Sequence, residues 1–340
     1  MRYYIVTTAK FAHQCLEYTT YGATQSNWLA NINVGDTIFL SQFNYKSQNL
    51  FGPFQVTKNL FYNKEIIYPQ QKYFYRIQFR FMKAIKTIEE TDLYLNGVRL
   101  GEIPTYFKLI NLIQQNKHLH CICLINYEGE AILDTFHQID RDYDKTIQQS
   151  KLKNDLIDIN CKYIWDKNKL DKKRYFSSES DLETYILLSL KNTESEMYKS
   201  LNKLLNKHKN NELQFSQIHN QFIFGNAYPS DIVVLNKDNI NVFELKKDKL
   251  ANNIIPQIEK EIKKHLYYSL FSDRIKSDNG LKRFNFYLVY LKDSDNSQHK
   301  LLLFEKYNDL CKKIGTLREN TITFVEYYVK DNILILEEVR

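Results

Sequence analysis

The sequence contains no long hydrophobic run, and its cysteines follow no repeated spacing. No segment approaches the roughly 20 consecutive apolar residues of a membrane helix, and the opening MRYYIVTTAK has no apolar stretch after its basic residue. We therefore expect a cytoplasmic protein that has no membrane partner. The five cysteines, at positions 15, 121, 123, 161 and 311, are odd in number, which indicates neither a disulfide framework nor a zinc ribbon.

A short cluster of histidine and cysteine in HLHCICLI has the residue types of a metal site but not the geometry. The cluster contains His118, His120, Cys121 and Cys123, and its apolar pattern predicts a strand. Because strand side chains alternate between two faces, the two histidines and the two cysteines point in opposite directions. We predict a buried strand with small apolar cysteines rather than a metal centre.

Length and composition indicate two domains. The chain has 340 residues, of which 43% are hydrophobic and 14% aromatic, enough apolar material for more than one core. The formal net charge of +7 and the pI near 8.8 suit a polyanionic partner. A lysine-rich surface on an ordinary soluble protein gives the same totals, so charge does not decide between the two.

Residues 1–137 are rich in short β patterns and predict a small, curved β-rich domain. The predicted strands are Tyr3 to Val6, Thr37 to Ser41, Phe54 to Thr57 and Tyr73 to Phe81. A helix is predicted over Pro104 to Gln115, followed by a hairpin of Leu119 to Ile125 and Ala131 to Phe136 that turns at Glu128-Gly129-Glu130. Residues 138–176 are polar with weak apolar periodicity, which indicates a connecting region.

Residues 177–340 follow an α/β pattern. Ser180 and Glu183 form a capping-box pattern at the start of a helix with an apolar stripe. The predicted strands are Gln214 to Ile223, Ile232 to Leu235, Asn241 to Leu245, Phe284 to Leu291, Thr321 to Val329 and Ile333 to Val339. Further helices are predicted over Ile254 to Leu270 and Leu303 to Ile314. Asn236-Lys237-Asp238-Asn239 has the composition of a hairpin turn between the second and third of these strands.

This hairpin brings together side chains that suit phosphodiester hydrolysis. Asp231 begins one strand, and Glu244 and Lys246 lie two residues apart, on one face, on the strand that returns beside it. Carboxylates suit Mg²⁺, which prefers oxygen ligands, and an ammonium can stabilise transition-state charge. The pattern therefore predicts two carboxylates and one lysine around a single point.

These residues resemble the PD-(D/E)XK nuclease superfamily, in which a helix precedes an antiparallel sheet and another helix follows. The matching residues are Pro229-Ser230-Asp231 and Glu244-Leu245-Lys246. The resemblance implies an α/β core, a mixed sheet flanked by helices, in which Asp231 and Glu244 bind Mg²⁺, with Mn²⁺ as a substitute, and Lys246 orients water or stabilises charge. Glu183 matches an additional acidic metal ligand of many members. Gln257, with Tyr267 and Tyr268 further along, resembles the glutamine and tyrosine of the RecB-like branch.

Other interpretations of these residues remain open. Glu244 and Lys246 could form an exposed ion pair while Asp231 caps a turn. Glu261-Ile262-Lys263 repeats the Glu-x-Lys pattern, but it lies within a predicted helix and is taken as a decoy. The same helix carries basic residues for phosphate contact, interrupted by glutamates as on a solvated face: Lys260, Lys263, Lys264 and His265.

The N-terminal region resembles PUA-like modules of the EVE and YTH kind, over about residues 1–81. The resemblance rests on Asn27-Trp28, the Val34-Gly35-Asp36 turn before a strand, and the later step Phe51-Gly52-Pro53. It implies a β-barrel that flips a modified base into an aromatic cage. The cage candidates are Trp28, Tyr18, Tyr21, Phe43 and Tyr45, with Ser26 or Asn27 as polar contacts. The alternative is that these aromatics belong to an ordinary β core.

Together the two resemblances imply a modification-dependent DNA endonuclease, similar to type IV restriction systems. The expected partner is DNA carrying modified bases. A homodimer would supply the two active sites that double-strand cleavage commonly needs, but no segment of the sequence identifies an interface. One alternative is a nuclease that acts on structured or single-stranded DNA or on RNA. Another is a catalytically silent nucleic-acid-binding regulatory protein that kept the fold.

Overall fold

The computed structural model divides the chain into two compact units, Met1–Ile159 and Asn160–Arg340, here called unit 1 and unit 2. It describes residues 1–43, 48–69, 71–115, 119–143, 146–168, 175–205, 213–214, 217–224, 229–236, 239–250, 255–261, 263, 283–292, 297–314, 321–331 and 333–339. Each unit contains one sheet. Within these ranges, no helix combines the length and apolar character needed to cross a membrane.

Unit 1 is built on a seven-stranded mixed sheet. Its strands are β1 (Tyr3–Thr7), β2 (Thr20–Ala23), β3 (Thr37–Phe43), β4 (Gln48–Tyr62), β5 (Tyr75–Glu89), β6 (Cys121–Leu124) and β7 (Ile157–Asp158). The order is β2-β5-β4-β3-β1-β6, and β7 pairs with β4. β1 and β3 are parallel while the other pairs are antiparallel. Over the described residues this path runs from β2 to β6 and curls into a half-barrel, which is compatible with the predicted PUA-like domain.

The long central strands of this sheet are bent. β4 and β5 each run for 15 residues, much further than predicted, and their pairing shifts register at three places. Such irregularities bend a strand and increase its twist. Gly52 lies at one of them with a φ of +153°, a conformation that other residues rarely adopt. Phe39 and Phe54, on neighbouring strands of this sheet, are fully buried and belong to the core of the unit.

The described part of unit 1 contains five helices: α1 (Ala12–Glu17), α2 (Asn27–Ala30), α3 (Glu90–Leu100), α4 (Ile103–Gln115) and α5 (Asn126–Gln138). The predicted hairpin of residues 119–136 is wrong in its second half. Its first strand is confirmed as β6, but Glu128-Gly129-Glu130 lies inside α5 instead of forming a turn. Glu128 accepts a hydrogen bond from the backbone N–H of Ile125 and starts the helix, and the buried residues Ile132 and Phe136 have helical spacing.

The polar segment 138–159 lies along unit 1. The backbone N–H of Tyr143 donates to Ile85, and the amide of Asn63 donates to the carbonyl of Asn154. β7 then pairs with the end of β4. This segment, predicted as part of a connecting region, is therefore attached to the sheet of unit 1 by backbone pairing.

Unit 2 contains a six-stranded sheet in the order β13-β12-β11-β10-β9-β8. The strands are β8 (Ile218–Ile223), β9 (Pro229–Leu235), β10 (Asn239–Leu245), β11 (Arg283–Leu291), β12 (Thr321–Lys330) and β13 (Ile333–Glu338). β8, β9 and β10 are antiparallel, β10, β11 and β12 are parallel, and β13 returns antiparallel. The predicted strands and the predicted hairpin of β9 and β10 are confirmed, with small changes at their ends.

In the described part of unit 2 the helices are α6 (Cys161–Lys167), α7 (Glu179–Leu190), α8 (Glu196–Leu205), a helical segment over residues 255–261 here called α9, and α10 (Ser297–Ile314). The predicted capping residue of α7 is wrong by two positions. Ser178, not Ser180, accepts the hydrogen bond from the backbone N–H of Asp181. The predicted apolar stripe is confirmed, because Leu182, Ile186 and Leu190 are buried.

Candidate functional site

The hairpin of β9 and β10 brings Asp231 beside Glu244. Ile232 is the partner of Phe243 in the antiparallel register, so the neighbouring residues Asp231 and Glu244 lie next to each other across the ladder. Asp231 Oδ2 accepts a hydrogen bond of 2.8 Å from the backbone N–H of Leu245. This bond fixes the carboxylate of Asp231 on the returning strand.

Lys246 lies between two carboxylates. Its Nζ is 2.7 Å from Glu244 Oε1 and 3.2 Å from Glu261 Oε2. The lysine side chain is only 7% exposed, and its backbone N–H donates to the carbonyl of Val289 on β11. The predicted shared face of Glu244 and Lys246 is therefore confirmed, and their ion pair is buried rather than exposed.

Glu261 contacts this cluster. In the sequence, it was interpreted as part of a chance repeat of the Glu-x-Lys pattern. The helix prediction is confirmed for residues 255–261, and Ile255 and Ile258 on this helix are buried. Glu261 follows Ile258 by three positions, which places it near the same helical face. This helical spacing is the sequence pattern that could have identified Glu261 as a site residue. The amide of Gln257 donates to Glu261 Oε1 at 2.8 Å, so Gln257 reaches the cluster through Glu261.

Helix α7 supplies two more carboxylates. Glu183 is 2% exposed, and its Oε2 accepts a hydrogen bond of 2.8 Å from the amide of Gln221. Glu179, which sequence reasoning did not select, accepts a hydrogen bond from the backbone N–H of Lys247. Both glutamates influence the hairpin electrostatically, Glu183 through Asp231 and Glu179 through Lys246.

Gln221 has an unusual backbone conformation for a strand residue. Its φ is +47°, a left-handed value that is uncommon for residues other than glycine. In the register of β8 and β9, Asn220 pairs with Ile232 and Phe222 with Ser230, which places Gln221 opposite Asp231. This conformation accompanies the hydrogen bond that Gln221 donates to Glu183. Strained residues of this kind are concentrated at functional sites.

The crowding of carboxylates changes proton affinities in the cluster. Burial, and then the carboxylates of Glu244 and Glu183, raise the pKa of Asp231 well above its usual range. Burial alone would lower the pKa of Lys246, but Glu244, Glu261 and Glu179 raise it above its usual value. Burial and Glu244 likewise raise the pKa of Glu261. The lysine is therefore held charged, and the carboxyl groups favour any additional cation.

The donors present fit Mg²⁺ through a pair of ligands rather than a complete cage. Among the residues that the structure describes, no group of three or more His, Cys, Asp or Glu is arranged to hold a metal ion. Mg²⁺ commonly binds through one or two carboxylates, with water and substrate phosphates completing its shell. Asp231 and Glu244 form such a pair of oxygen donors, whereas the predicted third ligand, Glu183, accepts the amide of Gln221.

In unit 1, the structure brings Trp28 together with two residues that the sequence did not indicate for the cage. The ring of Trp28 lies 5.9 Å from that of His120, and the ring of Tyr73 lies 5.5 Å from His120 on an edge-on contact. All three side chains are half-buried. Thr24, which is exposed, has its hydroxyl 3.3 Å from Nε2 of His120.

His120 was assigned to a buried strand, yet it lies just before β6 at the edge of this group. Tyr21 is 2% exposed, and its hydroxyl donates to the backbone carbonyl of His120 at 2.6 Å and lies 3.4 Å from Nδ1. Burial lowers the pKa of His120, which favours the neutral imidazole. The HLHC sequence singled out two histidines, but it could not predict the contacts of His120, because the residues that make them lie far away along the chain. The prediction of buried Cys121 and Cys123 is confirmed.

The other predicted cage residues are distributed differently. Ser26 and Asn27 are buried beside Trp28 in sequence, and Tyr21 supports His120 from the interior. Tyr18 is half-buried and interacts electrostatically with Glu17 and Glu65. Phe43 ends β3, but its side chain and all of Tyr45 lie outside the described residues.

The predicted basic face of α9 is described only in part. Lys260 and Lys263 are exposed, as expected for a solvated or phosphate-contacting face. The following residues lie outside the described part of the chain, as does the first histidine of the HLHC sequence: Lys264, His265, Tyr267, Tyr268 and His118.

No protein-family model matches the sequence, and no curated protein matches it. Among solved structures, the chain is similar to the human THYN1 protein, whose crystal structure contains 5-methylcytosine DNA, with 14% identity and a TM-score of 0.31 over 39% of this chain and 96% of that chain. It is also similar to a protein from Pseudomonas putida, with 12% identity and a TM-score of 0.29 over 39% of this chain and 98% of that chain. At these TM-scores, neither likeness assigns a function to this chain.

Proposed function

We propose that unit 2 is a Mg²⁺-dependent nuclease centre of the PD-(D/E)XK kind and that unit 1 is a PUA-like reader of modified bases. The protein would then be a modification-dependent DNA endonuclease. The observation that carries the proposal is the meeting of Asp231, Glu244 and Lys246 on one hairpin. Glu244 and Lys246 are buried and Asp231 is half-buried, and their contacts place two carboxylates and a charged lysine together.

Each of these residues has a separate task in the proposed reaction. Asp231 and Glu244 hold the cation, and the hydrogen bond from Leu245 keeps the carboxylate of Asp231 oriented. Lys246 stays protonated because Glu244 and Glu261 surround it, so it presents a positive charge to the phosphate. Mg²⁺, when bound, polarises the phosphate and makes a bound water more acidic.

The order of elements around the hairpin supports this proposal. Helix α7 with Glu183 comes first, and three antiparallel strands, β8 to β10, follow it. Helix α9 then precedes β11, which pairs in parallel with β10. This order agrees with the helix, antiparallel strands and following helix that the sequence resemblance implied.

The reader half of the proposal rests on the group of Trp28, Tyr73 and His120. Two aromatic rings at a partly exposed position provide surfaces on which an extruded base can stack. A neutral imidazole has one donor and one acceptor nitrogen, so His120 and the adjacent hydroxyl of Thr24 could contact the edge of a base.

The nuclease assignment is tested by incubating the purified protein with Mg²⁺ or Mn²⁺ and plasmid DNA. Asp231→Ala, Glu244→Ala and Lys246→Ala should each abolish cleavage. Lys247→Ala is the matched control, because Lys247 is the next lysine and its ammonium pairs with Asp248 rather than with Asp231 or Glu244. Cleavage by the wild type and by Lys247→Ala alone supports the proposal. If the Asp231 and Glu244 variants cut as fast as the wild type, the site is wrong.

The substrate is tested in the same assay with plasmids that carry either unmodified or modified cytosine, and with single-stranded DNA and RNA. Wild type should prefer the modified plasmid, and Trp28→Ala should lose the preference while keeping its basal cleavage. Trp28→Phe retains an aromatic surface and should keep much of the preference. Equal cleavage of both plasmids by all three proteins would remove the reader half, and cleavage confined to RNA or single strands would redirect the nuclease half.

One observation favours a second candidate, a nucleic-acid-binding protein without catalysis. Among the described residues, no three potential ligands are arranged around one metal position. Lys246 also contacts Glu244, a carboxylate that the proposed reaction assigns to the metal ion. Calorimetric titration with Mg²⁺ separates the two candidates. Heat of binding that disappears in Asp231→Asn supports the nuclease, whereas DNA binding with no Mg²⁺ binding and no cleavage supports the silent protein.

A further inference from the structure

We infer that Glu261 is a positioning residue of the proposed nuclease centre. It keeps the ammonium of Lys246 in place when a cation engages Glu244. This inference rests on the proposed function of unit 2, and it gives a role to a residue outside the hairpin that carries the other site residues.

The inference begins with a competition for Glu244. In the structure Lys246 Nζ is 2.7 Å from Glu244 Oε1, so the ammonium contacts an oxygen that a metal ion would use. Two cations on one carboxylate repel each other, and the repulsion is strong where water is scarce. Binding of a divalent cation to Glu244 therefore weakens its bond to Lys246.

Glu261 provides the second partner that Lys246 then needs. A buried charge that loses its only partner is strongly destabilising. Glu261 Oε2 already lies 3.2 Å from Nζ, so the ammonium can remain in the site without a large movement. Without Glu261, the binding of a cation would leave Lys246 buried and poorly compensated, and that cost would reduce the affinity for the cation.

Several contacts hold Glu261 ready for this task. Gln257 donates to Oε1 at 2.8 Å, and Oε2 lies 3.2 Å from the ammonium of Lys246. Ile255 and Ile258 bury one face of α9, and Glu259 on the same helix pairs with Lys306 of α10 at 2.5 Å. These contacts fix the helix and limit the rotation of the carboxylate.

A double-mutant cycle tests whether Glu261 acts through Lys246. Mg²⁺ affinity is measured by calorimetry without nucleic acid for wild type, Glu261→Gln, Lys246→Met and the double variant. Glutamine keeps the shape of Glu261, and methionine keeps the length of Lys246 without its charge. Glu261→Gln should weaken Mg²⁺ binding by about tenfold in the wild-type background, but by no more than about threefold when Lys246 is methionine.

Two further variants separate positioning from a general loss of charge or of folding. Glu259→Gln removes a neighbouring carboxylate that does not contact Lys246, and it should change Mg²⁺ affinity by less than about twofold. Glu261→Asp retains the charge and should restore part of the affinity. Thermal unfolding in EDTA shows that each variant is folded before its affinity is compared.

Failure of the proposed function and failure of the inference about Glu261 give different results. If the wild type binds no Mg²⁺, the proposed function of unit 2 fails and this inference fails with it. If the wild type binds Mg²⁺ and Glu261→Gln binds it equally well, the inference alone is overturned. An equal loss with and without the lysine overturns it too, because Glu261 would then act as a metal ligand or through its charge alone.

Discussion

Under the proposed function, Asp231 serves the reaction while it lowers the stability of the fold. Burial and the carboxylates of Glu244 and Glu183 raise its pKa, so the folded, metal-free protein holds that proton more tightly than the unfolded chain does. The corresponding stability is present below the usual pKa of an aspartate and is lost as the pH rises through the raised value. At neutral pH in EDTA, the raised pKa of Asp231 should therefore make the folded protein less stable than it is at lower pH.

We predict that Asp231→Asn raises the unfolding free energy in EDTA at pH 7 by about 1 kcal/mol while it abolishes cleavage. Asparagine can still accept the hydrogen bond from Leu245, but it removes the repulsion with the neighbouring carboxylates. Urea unfolding at several pH values gives the measurement, and the gain should shrink as the pH falls. Asp248→Asn, at a half-exposed ion pair, is the control that should give no gain.

His120 should make the stability of the protein depend on pH in the direction opposite to that expected for Asp231. Burial lowers its pKa below the usual value of about 6.5, so the unfolded chain binds that proton more readily than the folded protein. The stability of the wild type should fall as the pH decreases from about 6.5 towards the lowered pKa. His120→Gln should show a shallower fall over the same range in urea unfolding. Identical slopes for the two proteins would show that His120 is not the group responsible.

At the scale of elements, Gly129 explains why α5 was mistaken for a turn. A Cβ at this position would lie 2.1 Å from Cγ of Tyr3 on β1, so the glycine permits close packing of a helix against a strand. We predict that Gly129→Ala destabilises the protein by about 1–3 kcal/mol, because side chains or backbone must move. Gly101→Ala is the comparison, since nothing lies within 4 Å and only its left-handed φ of +71° is strained.

Thermal or urea unfolding of the two glycine variants distinguishes packing from strain. Gly129→Ala should be rescued in part by Tyr3→Leu, which removes the ring, whereas Gly101→Ala should not respond to that change. If both glycine variants respond alike, the close approach of α5 and β1 does not explain the glycine.

The sequence predicted the elements whose information is local and missed those that depend on distant contacts. Asp231, Glu244 and Lys246 could be predicted because alternation and a hairpin turn determine which face each residue occupies. Gln221 could not, because its role depends on Glu183, 38 residues away, and on a left-handed φ that no local pattern indicates. His120 was missed for the same reason, since its contact with Tyr21 joins residues 99 positions apart.

At the scale of the whole molecule, the position of the boundary after unit 1 can be tested. Sequence composition predicted an N-terminal domain of residues 1–137, whereas the compact unit extends to Ile159. The difference is the polar segment 138–159, which pairs with β4 through Ile157 and Asp158. Ser150 also donates its hydroxyl to Glu17, so the segment contacts the beginning of the unit as well. The polar composition of the segment did not predict this attachment, because backbone hydrogen bonds rather than an apolar side-chain pattern maintain it.

We predict that a fragment of residues 1–159 folds independently and that a fragment of residues 1–137 is less stable by at least about 2 kcal/mol. The shorter fragment loses β7, the hydrogen bonds from Asn63 to Asn154 and from Tyr143 to Ile85, and the ring contact of Tyr143 with Phe51. An intramolecular hydrogen bond contributes roughly 0.5–1.5 kcal/mol, so several together give a loss of this size. Urea unfolding of both fragments measures it. Equal stability of the two fragments would show that residues 138–159 contribute nothing to unit 1. Under the proposed function, the fragment of residues 1–159 should also bind the modified duplex without cutting it.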